Sequence, residues 1–145
     1  MYDFLSYYVR DYMTPQPRTV GRDTALRELQ GLFDAHDFNG VPVVDDDGRL
    51  VGLATKLDLL KAFTLTPDAM VPHYATIMER PVHELMTREP ITVTPELPLT
   101  RVLQRMVDMR TKGFPVVDDG HRVVGVIARE DLLGALRDAT SGNKG

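Results

Sequence analysis

The sequence predicts an α+β fold built from two tandem β-α-β-β-α units. Three observations carry this: an ungapped internal duplication, apolar residues at helical spacing in each copy, and short β-branched runs joined by Asp/Gly clusters. The repeat comes first, because every later assignment depends on it. Asp11–Val20 aligns with Glu84–Val93, setting Met13-Thr14 on Met86-Thr87 at a separation of 73 residues. The same separation sets Gly40–Asp46 on Gly113–Asp119, Gly52 on Gly125 and Asp58–Leu60 on Asp131–Leu133. Separate blocks sharing one register make the chain a duplication, with a connector between the copies.

Residues 1–8 form an aromatic leading segment, expected to be a short helix packing on the body or on a second subunit. The first repeat spans 9–65, a connector 66–81, the second repeat 82–139 and a flexible tail 140–145. Thr19-Val20 and Ile91–Val93 are short extended pieces after a proline. From Asp23 to Asp37, Leu26, Leu29, Leu32 and Phe33 recur at helical spacing, matched by Leu99, Val102, Leu103, Met106 and Met109. Thr94-Pro95-Glu96 predicts an N-cap, a proline at the first helical position and an early acid. Val41–Val44 and Leu50–Leu53 flank Asp45–Gly48, and Phe114–Val117 and Val123–Val126 flank Asp118–His121, each pair a hairpin. Second helices follow over Lys56–Phe63 and Arg129–Ala139, and Thr66–Pro72 predicts one helical turn in the connector. Units of roughly 50 residues seldom bury a sufficient core alone, so the copies are expected to pack together.

The chain has 145 residues, 43% hydrophobic and 26% charged, an ordinary globular composition. Its net charge of −4 carries no basic block, which argues against nucleic acid as a partner. Without cysteine there is no disulfide, thiolate zinc site or cysteine nucleophile, which fits a cytoplasmic location. No run approaches the ~20 apolar residues that span a bilayer, and the opening lacks the cationic n-region of a signal peptide. No membrane role is expected.

Two β-α-β-β-α copies, each with Met-Thr near its start, Gly-x-Pro-Val-Val-Asp entering the hairpin and Asp-Leu-Leu opening the last helix, resemble a CBS (cystathionine-beta-synthase-like) domain pair, or Bateman module. The resemblance covers residues 9 to 138. It implies a pseudo-two-fold pair with two clefts between the copies, frequent homodimers, and adenosyl ligands such as AMP, ADP or ATP, with NAD or S-adenosylmethionine as further members of the class. No cofactor is required and no catalytic residues come with it.

The family's nucleotide pattern, Gly-x-x-Thr/Ser-x-x-Asp, is met in full by Gly52–Asp58. Thr55 ends a strand and opens a helix, so its hydroxyl and the free first-turn N–H groups suit a phosphate. Asp58 can accept from both hydroxyls of a ribose, and Lys56 adds charge near the phosphates. The family's adenine position falls here on Gly40, Val41 and Pro42, with Thr19 and Val20 beside them. The second copy keeps Asp131 but has Ala128 in place of the hydroxyl. Arg129 compensates in part, and Phe114, Pro115 and Thr92 complete a weaker site. Losing one such hydrogen bond costs roughly 0.5–1.5 kcal/mol, so unequal sites are expected, the Thr55/Asp58 site preferred.

Simpler readings stand beside these. Thr-x-x-Asp is also a capping box, and an acid in a first turn is favoured by the helix dipole in any case. The Asp45–Asp47 and Asp118-Asp119 runs suit tight turns better than Ca²⁺ or Mg²⁺. His36, His73, His83 and His121 show no ligand spacing, so no metal is expected. The group Tyr2, Tyr7, Tyr8 and Tyr12 is better matched to an oligomer contact than to stacking on adenine. The methionines read as core filling or a repackable interface. The resulting expectation is a stand-alone sensor that binds an adenine nucleotide and signals to a separate effector protein, with a ligand-free dimerisation scaffold as the alternative and no Ser/His/Asp, paired-carboxylate or metal set for an enzyme.

Overall fold

The computed structural model describes residues 2–64 and 73–141. The helical turn expected over Thr66–Pro72, and the tail from residue 142 onward, lie outside the described residues. A 3-10 turn (Tyr2–Ser6) leads into α1 (Val9–Tyr12), β1 (Thr14–Pro15), β2 (Val20–Gly21), α2 (Leu26–Ala35), β3 (Gly40–Val44), β4 (Leu50–Thr55) and α3 (Lys56–Lys61). After the connector come α4 (Tyr74–Met78), a 3-10 turn (Val82–Glu84), β5 (Thr87–Arg88), α5 (Leu99–Met109), β6 (Gly113–Val117), β7 (Val123–Ala128) and α6 (Arg129–Ser141). This is the α+β, twice-repeated architecture that the sequence predicts.

The compact units are cut differently from the sequence repeats. One joins Met1–Pro17 to Ile91–Gly145, and the other is Arg18–Pro90. Each body is therefore completed by the segment that leads into the other copy. In the continuous unit the sheet order is β2-β3-β4-β5, where β5 belongs to the second repeat's Met-Thr motif. In the discontinuous unit the order is β1-β7-β6, and β1 is the first repeat's Met-Thr strand. There Val93 makes a single parallel bridge to Val116, where the other unit has the short strand β2.

Hydrogen bonds show that the match between copies begins earlier than the sequence blocks. The Leu26 N–H donates to Arg80 O and the Val82 N–H to Thr24 O; 73 residues away, Leu99 N–H donates to Tyr7 O and Val9 N–H to Leu97 O. The aromatic leading segment and the end of the connector are thus equivalent elements. Phe4 (1% exposed) enters one core with Leu99, Val102, Phe114, Val116, Ile127 and Leu132, and Ile77 enters the other with Leu26, Leu29, Val41, Val43 and Leu59. Tyr7 and Tyr12 pack against the first of these cores, their rings 5.0 Å apart, and the Tyr12 hydroxyl donates to Asp138 at 2.7 Å. Burial and the Asp138 carboxylate push the Tyr12 hydroxyl's pKa well above that of a free tyrosine. These two rings serve the chain's own packing, whereas Tyr8 is exposed with the Arg10 guanidinium 4.6 Å from its ring centre.

The same docking explains why the first helices start late. Thr94-Pro95-Glu96 does not cap α5, whose N-cap is Pro98; likewise α2 begins at Leu26 rather than near Asp23. The Pro95 and Leu97 carbonyls are taken by Arg10 and Val9, and the Arg22 and Thr24 carbonyls by His83 and Val82. Pairing with the leading segment holds these residues extended, overriding a local cap signal.

Two Asx turns shape the hairpins. Asp45 accepts from the Asp47 and Arg49 N–H groups, both at 2.9 Å, and Asp118 accepts from Gly120 and Arg122. Those backbone donors, Arg49 first, hold the Asp45 carboxyl below the usual range. The left-handed position is Gly48 in one hairpin (φ 82°) and His121 in the other (φ 65°). The acidic runs are occupied in building turns. Among the described residues no group of three or more His, Cys, Asp or Glu is gathered to hold a metal ion, and no helix is long and apolar enough to cross a membrane.

The repeated glycine of β4 and β7 is where the exchanged segment lies closest. A methyl group on Gly125 would meet Met13 Sδ at 2.7 Å and Thr14 O at 3.0 Å; on Gly52 it would collide with Met86 Sδ and meet Thr87 O at 3.0 Å. Gly52→Ala is expected to push β5 off β4 and lower stability by about 1–3 kcal/mol, the usual cost of overpacking, measured by urea denaturation.

Candidate functional site

Thr55 and Asp58 sit where β4 turns into α3. Gly40 pairs with Thr55 across the β3–β4 ladder, Val41 with Ala54 and Pro42 with Leu53, while Val20 pairs with Val43 on the next strand. The register thus brings Gly40–Pro42, Thr55 and the Thr19-Val20 pair into one region of a single unit. Val20 and Val41 point into the core at 8% and 1% exposure, with Thr19 exposed beside them. In the other unit Gly113 pairs with Ala128 and Phe114 with Ile127. Phe114 is likewise a core side chain, against the expectation that it lines a ligand site, and Pro115 is buried with it while Thr92 is half-buried.

Thr55 and Asp58 form a full capping box. The Asp58 N–H donates to Thr55 Oγ1 at 3.1 Å, and the Thr55 N–H donates to Asp58 Oδ2 at 3.0 Å. The Thr55 hydroxyl proton remains free to donate elsewhere, since only its oxygen is used. Asp58 is only 3% exposed. Its Oδ1 lies 3.4 Å from Lys61 Nζ, and the Thr87 hydroxyl stands 3.4 and 3.3 Å from its two oxygens. Thr87 and Lys61 are the residues that sequence reasoning missed. The repeated Met-Thr pair was the available signal for Thr87, but nothing local says that its strand crosses to the other copy's sheet. Lys56 does not reach this carboxylate; its ammonium lies 5.8 Å from the centre of the Phe33 ring.

At the matching position Asp131 Oδ2 accepts from the Ala128 N–H at 2.8 Å. Ala128 returns no hydroxyl, so this cap is one-sided. Burial is the main influence on Asp131 and raises its pKa, opposed by the Ala128 N–H and reinforced by Glu130. Arg129 Nε lies 3.7 Å from Glu130 Oε2, and Arg129 also edges an open apolar groove of about 310 Å³ between α5 and α6, lined by Leu103, Met106, Val107, Leu132 and Leu133.

Duplicated β-α-β-β-α units closed by exchanged Met-Thr strands, each with an acid in the first turn of its last helix, define a tandem-repeat module. The CBS domain family model matches residues 9–65 and 82–138, and the chain belongs to that family as a CBS domain pair. It is 32% identical over 124 residues to L-aspartate semialdehyde sulfurtransferase of Methanocaldococcus jannaschii, covering 86% of this chain and 22% of that enzyme. The chain likewise spans 24% of homoserine O-acetyltransferase from Methanohalobium evestigatum. Among solved structures it is similar to CBSX2 in complex with AMP (26% identity, TM-score 0.80, covering 92% of this chain and 98% of the other). It is also similar to the CBS domain pair of protein MJ0100 in complex with 5'-methylthioadenosine and S-adenosyl-L-methionine (30% identity, TM-score 0.73, covering 90% and 96%).

The unequal caps are testable without any ligand. Thr55→Ala is expected to cost about 1 kcal/mol, and Ala128→Thr, which restores the second capping box, to add about 0.5–1 kcal/mol, both from chemical denaturation.

Proposed function

We propose that the chain is a sensor module that binds an adenosyl nucleotide of the AMP, ADP or ATP class beside Thr55 and Asp58 and beside Asp131, and that occupancy is read by an effector. The single observation that carries this is an acid held at the same first-turn position in both copies, in a chain whose structural relatives were solved with AMP and with S-adenosylmethionine. A carboxylate there can accept from ribose hydroxyls, the Thr55 hydroxyl can donate to a phosphate, and the backbone of Gly40–Pro42 can meet an adenine edge. A ligand shifts the protein's conformations only by binding one of them better. The effector therefore responds to whichever arrangement the occupied site favours.

The alternative is a ligand-free dimerisation scaffold, favoured by the capping box, which accounts for Thr55 and Asp58 through helix initiation alone. Calorimetry and thermal shift with AMP, ADP, ATP, NAD and S-adenosylmethionine separate the two readings. Saturating nucleotide raises the melting temperature if it binds the native state; the double variant Asp58→Ala/Asp131→Ala is expected to abolish the rise. Absence of binding at millimolar ligand leaves the scaffold.

A homodimer is part of the same proposal. Val107 on α5 and Leu133 on α6 are exposed apolar residues lining the groove, and Met109 is exposed at the end of α5, a patch suited to a second copy of this chain. Leu133→Asp is expected to shift the sedimentation coefficient to that of a monomer. A wild type that sediments as a monomer at tens of micromolar would count against the dimer.

A further inference from the structure

The two matched carboxylates rest in different states. At Asp58 both oxygens are engaged: Oδ2 by the Thr55 N–H, Oδ1 by Lys61 Nζ, and both by the Thr87 hydroxyl, leaving the residue 3% exposed. Asp131 shares only the backbone donor. Lys61 corresponds to Gly134, and Thr87 corresponds to Thr14, which makes no hydrogen bond to Asp131 among the described residues. The Ala128 N–H occupies Oδ2 alone. Every buried side-chain oxygen or nitrogen among the described residues has a partner, so the remaining Asp131 oxygen reaches solvent.

We propose that Asp131, not Asp58, is the carboxylate open to a ligand's ribose in the resting chain, and that Thr87, delivered by the exchanged strand β5, gates Asp58, which a nucleotide reaches only by displacing the Thr87 hydroxyl. The proposal rests on the adenosyl-nucleotide reading and reverses the ranking that the motif alone gives.

The chemistry supports the order. A ribose cis-diol brings two O–H donors to one carboxylate, and hydrogen bonds to a charged acceptor are the stronger kind. At Asp131 they meet a free oxygen on a group whose charged form is penalised by burial, so the incoming donors supply what the fold leaves out. At Asp58 they first replace donors already in place. The gate is weak enough to open: 3.3–3.4 Å is well beyond the 2.7–2.8 Å typical of O–H···O bonds. Opening has a mechanical consequence, because Thr87 and Arg88 pair with Leu53 and Gly52 in the sheet. Filling the gated site therefore pulls on the segment that leads into the second repeat.

Calorimetry with AMP on the whole chain tests the order. Asp131→Ala is expected to remove the tighter site and Asp58→Ala to leave it, while Thr87→Val tightens the weaker site several-fold. A tight site that survives Asp131→Ala and is lost in Asp58→Ala overturns the proposal. A ligand-free arm separates this from failure of the nucleotide reading. In urea at pH 7, Asp58→Asn is expected to lower the unfolding midpoint, by removing the charge that faces Lys61, whereas Asp131→Asn does not lower it. Equal losses overturn the resting-state assignment whatever nucleotides do. Split midpoints with no heat from AMP in any arm overturn the nucleotide reading alone, and the open and closed carboxylates stand.

Discussion

The close approach of a methionine to a glycine organises this molecule. Met86 lies over Gly52 and Met13 over Gly125, at separations that leave no room for a single methyl group. That contact lets a two-residue strand from one copy dock on the hairpin of the other. The docked strand carries with it the turn that extends the first helix's approach, the buried Phe4 or Ile77, and, in one unit, the Thr87 hydroxyl. Packing is dense in protein interiors and volume changes of one methyl are felt. The glycine is thus a spacing device here, since neither residue sits at positive φ.

Much of the fold was legible because its signals are local or periodic. The constant separation of 73 residues is a periodicity read directly along the chain, and the apolar spacing of Leu26, Leu29 and Phe33 and the Asp/Gly turns act within a few residues of where they are read. What stayed hidden depends on partners distant in the chain. The late starts of α2 and α5 follow from Val82 and Val9 claiming carbonyls that a cap reading assigns to the helix. Thr94 has the right chemistry for an N-cap and the wrong neighbours. The candidate site divides the same way: Thr55, Asp58 and Asp131 follow from a motif, whereas Thr87 and Lys61 required knowing which strand crosses over and how tightly α3 folds against the carboxylate.

Duplication gave the chain two copies of one design, and the differences between them are chemical rather than architectural. Thr55 corresponds to Ala128, Lys61 to Gly134, and Gly48 to His121 in the left-handed turn position. The backbone hardly registers these exchanges: both hairpins keep the same ladder register and the same irregularity before their last valine. The donors around each carboxylate do register them. A pair of backbones that match can therefore hold two carboxylates in different surroundings.

The division into compact units has a practical side. Residues 18–90 form an uninterrupted unit, whereas the other is assembled from residues 1–17 and 91–145. Proteolytic trimming at the amino end would remove Phe4 and Val9 from beneath α5 and α6, so the damage would surface near the carboxyl end while the middle of the chain kept its core.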